Sequence, residues 1–153
     1  MSSAPQPSDY HDALTELPNR RLFDDRLKQA LAIAERRQGG VALFLISLAG
    51  FAPIADDIVL QAARRLAAGL RRSDTLARWG AGEFALLAID VVDEQQCRAL
   101  AERLLSALDM DAAIGIARFS ADAQDAAALV RNADVARAHA RQLGRRHYRI
   151  YAR

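Results

Sequence analysis

The stretch "TLARWGAGEFALLAID", residues 75–90, reads as two apolar β-strands joined by a short turn. This hairpin decides the fold, because its two strands must pair within one sheet and the flanking segments must pack around them. The turn, "RWGAGEF" at 78–84, carries one carboxylate, Glu83, where a catalytic turn of this shape would be expected to carry two. The first question is therefore whether this turn is an active site.

Outward from the hairpin, apolar periodicity predicts helices and further strands. Helices are predicted over 20–37, 56–72, 94–108 and 126–143, and strands over 41–48, 112–119 and 147–151. The order α-β-α-β-β-α-β-α-β mixes hairpins with β-α-β crossovers. It predicts an α/β (α+β) fold with a central mixed β-sheet flanked by helices, in a ferredoxin-like or polymerase-palm arrangement.

The sequence predicts where the first helix begins and ends and where the second begins. Asn19 is expected to cap the first helix and Gly39-Gly40 to end it, while Asp56 or Asp57 begins the second. The apolar stripe of the second helix is predicted to be Ile58, Ala62, Leu66 and Leu70.

The length of 153 residues fits one domain, predicted over 11–153 after a flexible Ser- and Pro-rich leader at 1–10. Cys97 is the only cysteine, which excludes a disulfide framework and predicts a reducing, cytoplasmic setting. The chain has no apolar run near the roughly 18 residues that a membrane span needs, and no secretory signal, so membrane insertion is not expected.

Lys28 is the only lysine among 21 basic residues, although the net charge is only +2. An arginine surface for nucleic acid is one interpretation of this bias. The arginine pairs are scattered and no basic stripe alternates with aromatic residues, so compositional bias is the preferred explanation and no nucleic-acid partner is predicted.

Four segments, taken in order, resemble one family. They are "DALTELPNRRLF" at 12–23, "RWGAGEF" at 78–84, "AAIGIA" at 112–117 and "NADVARAHARQLGRRHY" at 132–148, the last with Ala138 in a tyrosine position and Arg141 in a lysine position. From about Asp12 to Tyr151 the chain resembles the GGDEF domains of bacterial diguanylate cyclases, which condense two GTP into cyclic di-GMP. The resemblance implies the palm-like fold of that family.

The opening motif is interpreted as structural, with Asn19 as the helix cap and Leu14, Leu17 and Phe23 as packing residues. The three histidines have no cysteine or carboxylate at ligand spacing, so no metal site is assigned to them: His11, His139 and His147.

The resemblance implies a metal-binding "DxDxFK" segment, which here reads "SLAGFA": Ser47 and Ala49 occupy the aspartate positions and Ala52 the lysine position. In the turn the second glycine is Ala81 and the acidic third residue is Gly82, which leaves Glu83. Because Mg²⁺ and Mn²⁺ prefer several carboxylate oxygens, no catalytic residue, metal or cofactor is predicted.

The family's guanine-recognition segment shortens to "ADD" at 55–57. Ala55 lacks the asparagine amide of the family, and Asp57 either matches the guanine-binding aspartate or caps the second helix. Together with the missing metal ligands, this predicts a catalytically inactive diguanylate cyclase homologue that is not an enzyme.

"RRSD" at 71–74 has the spacing of the family's inhibitory RxxD motif, and "AERLL" at 101–105 resembles the helix that supplies its second arginine. The resemblance implies a cyclic di-GMP site at Arg71, Asp74 and Arg103. The pattern also occurs at 21–24 and 131–134, so the alternative is a plain surface ion pair between Arg71 and Asp74.

Three functions therefore stay open. The first is a receptor module for cyclic di-GMP. The second is an interaction module that docks to an EAL, HD-GYP or PilZ signalling protein, or to a second copy of itself as a homodimer, without binding nucleotide. The third is a residual enzyme or a GTP-binding regulator with a distorted pocket, against which the missing ligands count.

Overall fold

The computed structural model describes residues 9–37, 39–48, 54–91 and 93–152. The helices are α1 (Arg20–Arg37), α2 (Asp56–Ala68), α3 (Glu94–Leu108) and α4 (Ala126–Leu143); the strands are β1 (Val41–Leu48), β2 (Thr75–Gly80), β3 (Glu83–Ile89), β4 (Ala112–Arg118) and β5 (Arg146–Ile150). The predicted order of elements is confirmed. The leader expected at 1–10 lies outside the described residues up to position 8.

The five strands form one mixed sheet in the order β2-β3-β1-β4-β5. β1 pairs antiparallel with β3 on one side and with β4 on the other, while β4 and β5 are parallel. All eight residues of β1 are buried, because this strand is central and both of its faces are covered. The predicted central mixed sheet flanked by helices is confirmed.

The two faces of the sheet carry separate apolar cores. Phe44 and Ile46 of β1 pack with residues of α2 and α3, whereas Leu43 and Leu45 pack with residues of α1 and α4. This division follows from the two-residue period of a strand, in which neighbouring side chains point to opposite faces. The result is a helix-sheet-helix sandwich.

The cap of α1 is confirmed: the Leu22 N–H donates to Asn19 Oδ1 at 3.0 Å. α2 differs from the prediction, since it ends at Ala68 and not at residue 72. Of its predicted apolar stripe, Ala62 and Leu66 are buried, whereas Ile58 is 40% exposed and Val59 is buried in its place. The helix stops because Gly69 leaves the helical backbone region, which places the segment from Leu70 onward in a turn.

Cys97 is buried, and burial raises the pKa of its thiol to about 11. The thiol therefore stays protonated at neutral pH and is a packing group, as expected of a structural cysteine. Among the described residues, no helix has the length and apolar content needed to cross a bilayer.

Gly115 of β4 lies against the backbone of α4. A Cβ added there would come within 2.1 Å of the Ala133 carbonyl oxygen and of the Arg137 amide nitrogen. Because both are backbone atoms, no side-chain rotation relieves the clash. The glycine of "AAIGIA" thus sets how closely α4 approaches the sheet.

We expect Gly115→Ala to lower the free energy of unfolding by about 3 kcal/mol, because α4 must move away from β4 and its packed face must shift. Urea denaturation measures the change. Gly69→Ala is the matched control, since nothing lies within 4 Å of the added methyl group. Equal stability of the Gly115→Ala and Gly69→Ala variants would contradict the close approach.

Candidate functional site

The hairpin tip is fixed to the central strand. β2 and β3 are joined through Ala81 and Gly82, and Gly82 has a φ of +65°, a conformation that favours glycine. The Leu48 N–H donates to the Gly82 carbonyl at 2.8 Å, and Ser47 is the register partner of Glu83. The tip therefore lies directly beside the end of β1.

Glu83 is held by three elements. Its Oε2 accepts from Arg137 Nη1 of α4 at 2.5 Å and lies 3.4 Å from the Ser47 hydroxyl of β1. Its Oε1 lies over Gly80, where an added Cβ would come within 2.5 Å. Arg137 also donates to Asp134, so its guanidinium bridges two carboxylates.

This network is partly sheltered from water. The side chain of Arg137 is 14% exposed and that of Glu83 is 30% exposed, whereas Asp134 is largely exposed. Charge-assisted hydrogen bonds of this kind are stronger than neutral ones. The carboxylate at the hairpin tip therefore serves an ion pair with α4, a contact that the sequence pattern did not indicate.

These residues do not fit a divalent cation. The one carboxylate at the tip is bound to a guanidinium, and its neighbour on β1 is the neutral Ser47. Within the described parts of the chain, no group of three or more His, Cys, Asp or Glu residues is arranged to hold a metal. Ala49 and Ala52, the other positions expected to have lost metal and phosphate ligands, lie outside the described residues.

The opening motif is tied to the hairpin by an ion pair. Asp12 Oδ2 accepts from Arg78 Nη1 at 3.1 Å, from the Thr15 N–H at 2.8 Å and from the Thr15 hydroxyl at 2.7 Å. Burial alone would raise the pKa of Asp12, but the Thr15 hydrogen bonds and the charge of Arg78 outweigh it and lower that pKa. The motif is structural, as predicted, although Asp12 was not among the residues named for that role.

The expected cyclic di-GMP residues lie around the end of α2. The side chain of Asp74 is only 4% exposed: its Oδ2 accepts from the Arg71 N–H at 3.1 Å and its Oδ1 accepts from the Ile89 N–H at 3.2 Å. The Arg71 side chain is 58% exposed, lies 3.8 Å from the Asp74 carboxylate and donates to the Ile89 carbonyl. Arg103 of α3 is exposed, with Nη2 3.4 Å from the Gly69 carbonyl oxygen.

The shortened segment at the start of α2 gives no side-chain cap. Ala55 is the N-cap residue and makes no side-chain cap hydrogen bond, and Asp57 Oδ1 accepts only from the adjacent Ile58 N–H at 3.0 Å. Asp57 is exposed in the first turn, where a negative charge favours the helix dipole. Asp57 therefore lies in the first turn of α2 and is not its N-cap residue, and its match to the guanine-binding aspartate stays a prediction.

The family is established by comparison. The sequence profile described as "Diguanylate cyclase, GGDEF domain" matches residues 9–147, and this chain belongs to that family. The chain is 36% identical over 157 residues to the bifunctional diguanylate cyclase/cyclic di-GMP phosphodiesterase MucR of Pseudomonas aeruginosa, covering 90% of this chain and 23% of MucR. It is 31% identical over 147 residues to the diguanylate cyclase TpbB of Pseudomonas aeruginosa, covering 83% of this chain and 34% of TpbB.

Solved structures agree on the fold. The isolated GGDEF domain of TpbB superposes with a TM-score of 0.87 at 28% identity, covering 93% of this chain and 94% of that one. The GGDEF domain of DgcB from Caulobacter crescentus, solved with cyclic di-GMP, gives 0.83 at 20% identity over 98% and 97% of the two chains, which shows the fold alone. The chain thus spans about a quarter to a third of the two sequence relatives, and it is a GGDEF domain of cyclic di-GMP signalling.

The expectation that the chain is not an enzyme is wrong. The matching family is enzymatic, and MucR and TpbB are both named as diguanylate cyclases. The expectation rested on counting side chains at the metal, phosphate and guanine positions. The number of such side chains bears on which groups could be bound and does not measure whether the domain turns over substrate. Two of the counted positions, Ala49 and Ala52, also lie outside the described residues.

We expect Asp12→Asn to lower the free energy of unfolding by about 1 kcal/mol at pH 7, because it removes the charge that binds Arg78 and Thr15. The folded pKa is lowered, so this contribution is present above the unfolded pKa of about 3.9 and is lost as pH falls through the folded pKa. Urea melts at pH 7, 5 and 3 measure it. Asp24→Asn, which breaks an exposed pair with Lys28, is the control and should change stability by less than about 0.5 kcal/mol.

A second test concerns the hairpin tip. Arg137→Met should lower the free energy of unfolding by about 1–3 kcal/mol, because it leaves the carboxylate of Glu83 partly buried without its cation. The double variant with Glu83→Gln should recover part of the loss. Arg98→Met, which breaks the exposed pair with Glu94, is the control. A loss no greater than that of Arg98→Met would show that the pair contributes nothing.

Proposed function

We propose that this GGDEF domain is a regulatory module that binds cyclic di-GMP at Arg71, Asp74 and Arg103. The observation that carries the proposal is the presentation of Arg71, whose side chain is 58% exposed while the Asp74 carboxylate beneath it is 4% exposed. A rigid turn that holds an accessible guanidinium is suited to recognise phosphate and guanine groups.

Asp74 is the positioning residue of this site. Both of its carboxylate oxygens accept backbone N–H groups, one from Arg71 and one from Ile89. These bonds tie the turn before β2 to the end of β3. We therefore assign the direct ligand contacts to the arginines, and to Asp74 the orientation of Arg71.

Arg103 supports the same surface from α3. Its guanidinium adjoins the Gly69 carbonyl, two residues before Arg71, so the two arginines flank the segment that follows α2. A guanidinium has five N–H donors, and each of these arginines donates one side-chain hydrogen bond to a backbone carbonyl. Donors therefore remain for a ligand that carries two phosphates and two guanines.

The names of the relatives support the choice of ligand. MucR and TpbB are named for making cyclic di-GMP, and MucR also for degrading it. We further propose domain limits of 11–153 and, as the alternative function, docking to an EAL, HD-GYP or PilZ protein or to a second copy of this chain as a homodimer. We propose further that GAGEF at 80–84 is a divergent form of the family signature whose Glu83 serves the ion pair with Arg137.

Calorimetric titration of cyclic di-GMP into the wild-type protein should release heat, and Arg71→Ala and Arg103→Ala should each weaken binding about tenfold, equivalent to about 1.4 kcal/mol. Arg64→Ala, an exposed arginine of α2 with the same change of charge, should bind as the wild type does. The absence of heat in the wild-type titration, or equal weakening by all three substitutions, would contradict the proposal.

A further inference from the structure

A cavity of about 590 Å³ lies between α1 and the base of the hairpin, separate from the hairpin tip. Its α1 wall is formed by Arg26, Ala30, Ile33 and Arg37, which follow one another at helical spacing and so share one face of the helix. The opposite wall is the turn that contains Arg72 and the strand ends that follow it. We call this cavity the α1 groove.

The α1 groove is lined by arginine side chains that have no partner among the described residues. Within the described part of the chain, the guanidiniums of Arg26, Arg37 and Arg72 form neither a hydrogen bond nor an ion pair. Two carboxylates line the same cavity: Asp74 is occupied by backbone N–H groups and lies beside Arg71, and Asp90 lies beside Gly39. Positive charge is therefore in excess.

An apolar contact lies between the charged ends. Ile33 is 46% exposed, which is unusual for a large aliphatic side chain, and it stands between Arg26 and Arg37 on α1. These two arginines are separated by eleven positions, or about 16 Å along a helix axis. None of the described residues that line the α1 groove is aromatic, so a nucleotide base would find no stacking partner among them.

We infer that the α1 groove docks an acidic helical segment of a partner protein, with carboxylates at both ends and an apolar side chain between them. Carboxylates match the unpaired guanidiniums of Arg26 and Arg37, and an apolar residue covers Ile33. The inference goes beyond cyclic di-GMP binding, because Ile33 and Arg37 line the α1 groove and not the neighbouring cavity that Arg71 lines, although Arg26 lines both.

The test uses a fluorescein-labelled synthetic peptide of about sixteen residues, with glutamates at both ends and leucines between, which is long enough to span the α1 groove. Fluorescence anisotropy should rise on titration with the full chain. Binding should weaken about tenfold for Arg37→Glu and for Ile33→Asp, both at exposed positions. A second peptide with lysines in place of the glutamates should bind Arg37→Glu better than it binds the wild-type protein.

The control is Arg64→Glu, an exposed arginine of α2 on the other face of the sheet with the same reversal of charge, which should keep wild-type affinity for the acidic peptide. No anisotropy rise with the acidic peptide, or equal weakening by Arg64→Glu and Arg37→Glu, would overturn the inference. Arg71→Ala should leave peptide binding unchanged and Arg37→Glu should leave the calorimetry with cyclic di-GMP unchanged, so the two proposals fail separately.

Discussion

The contact between Gly115 and the backbone of α4 is the constraint on which the hairpin tip depends. With no side chain at this position, the helix approaches β4 closely enough for Arg137, whose own amide nitrogen lies over Gly115, to reach Glu83 on β3. A helix held farther from the sheet would leave that guanidinium in solvent and the carboxylate without its cation. One missing methyl group thus determines the electrostatics of a turn two strands away.

The many arginines of this chain have different structural roles at different positions of the fold. Arg78 and Arg137 form ion pairs and have side chains that are far less exposed than that of Arg71. Each neutralises a carboxylate and so joins two distant segments of the chain. Arg71 instead makes a peripheral contact and stays accessible. A guanidinium suits both tasks because it stays charged when partly buried and offers donors in a fixed plane. The arginines, whose abundance looked uninformative in the sequence, therefore have two roles: some join distant segments of the fold, and others stay accessible at its surface.

The fold was largely predictable because its signals are local. The apolar run of β1, the Asn19 cap and the periodicity of α3 and α4 each depend on residues within a few positions of one another. The limit of α2 was missed because Gly69 ends the helix before the apolar periodic pattern stops at Leu70. The RxxD spacing did locate Arg71 and Asp74 in one turn, but it did not show that the carboxylate of Asp74 is turned away from solvent.

The ion pairs could not be predicted in the same way. Glu83 and Arg137 are 54 positions apart, and Asp12 and Arg78 are 66 positions apart, so only the completed fold brings them together. The second of these pairs bears on the order of folding. Closing so long a loop costs chain entropy before any contact repays it, so we expect the segment around Asp12 to settle only after the hairpin has formed. A segment that precedes the hairpin in the chain would then be fixed after it, and its amide protons would exchange with solvent sooner than those of β1.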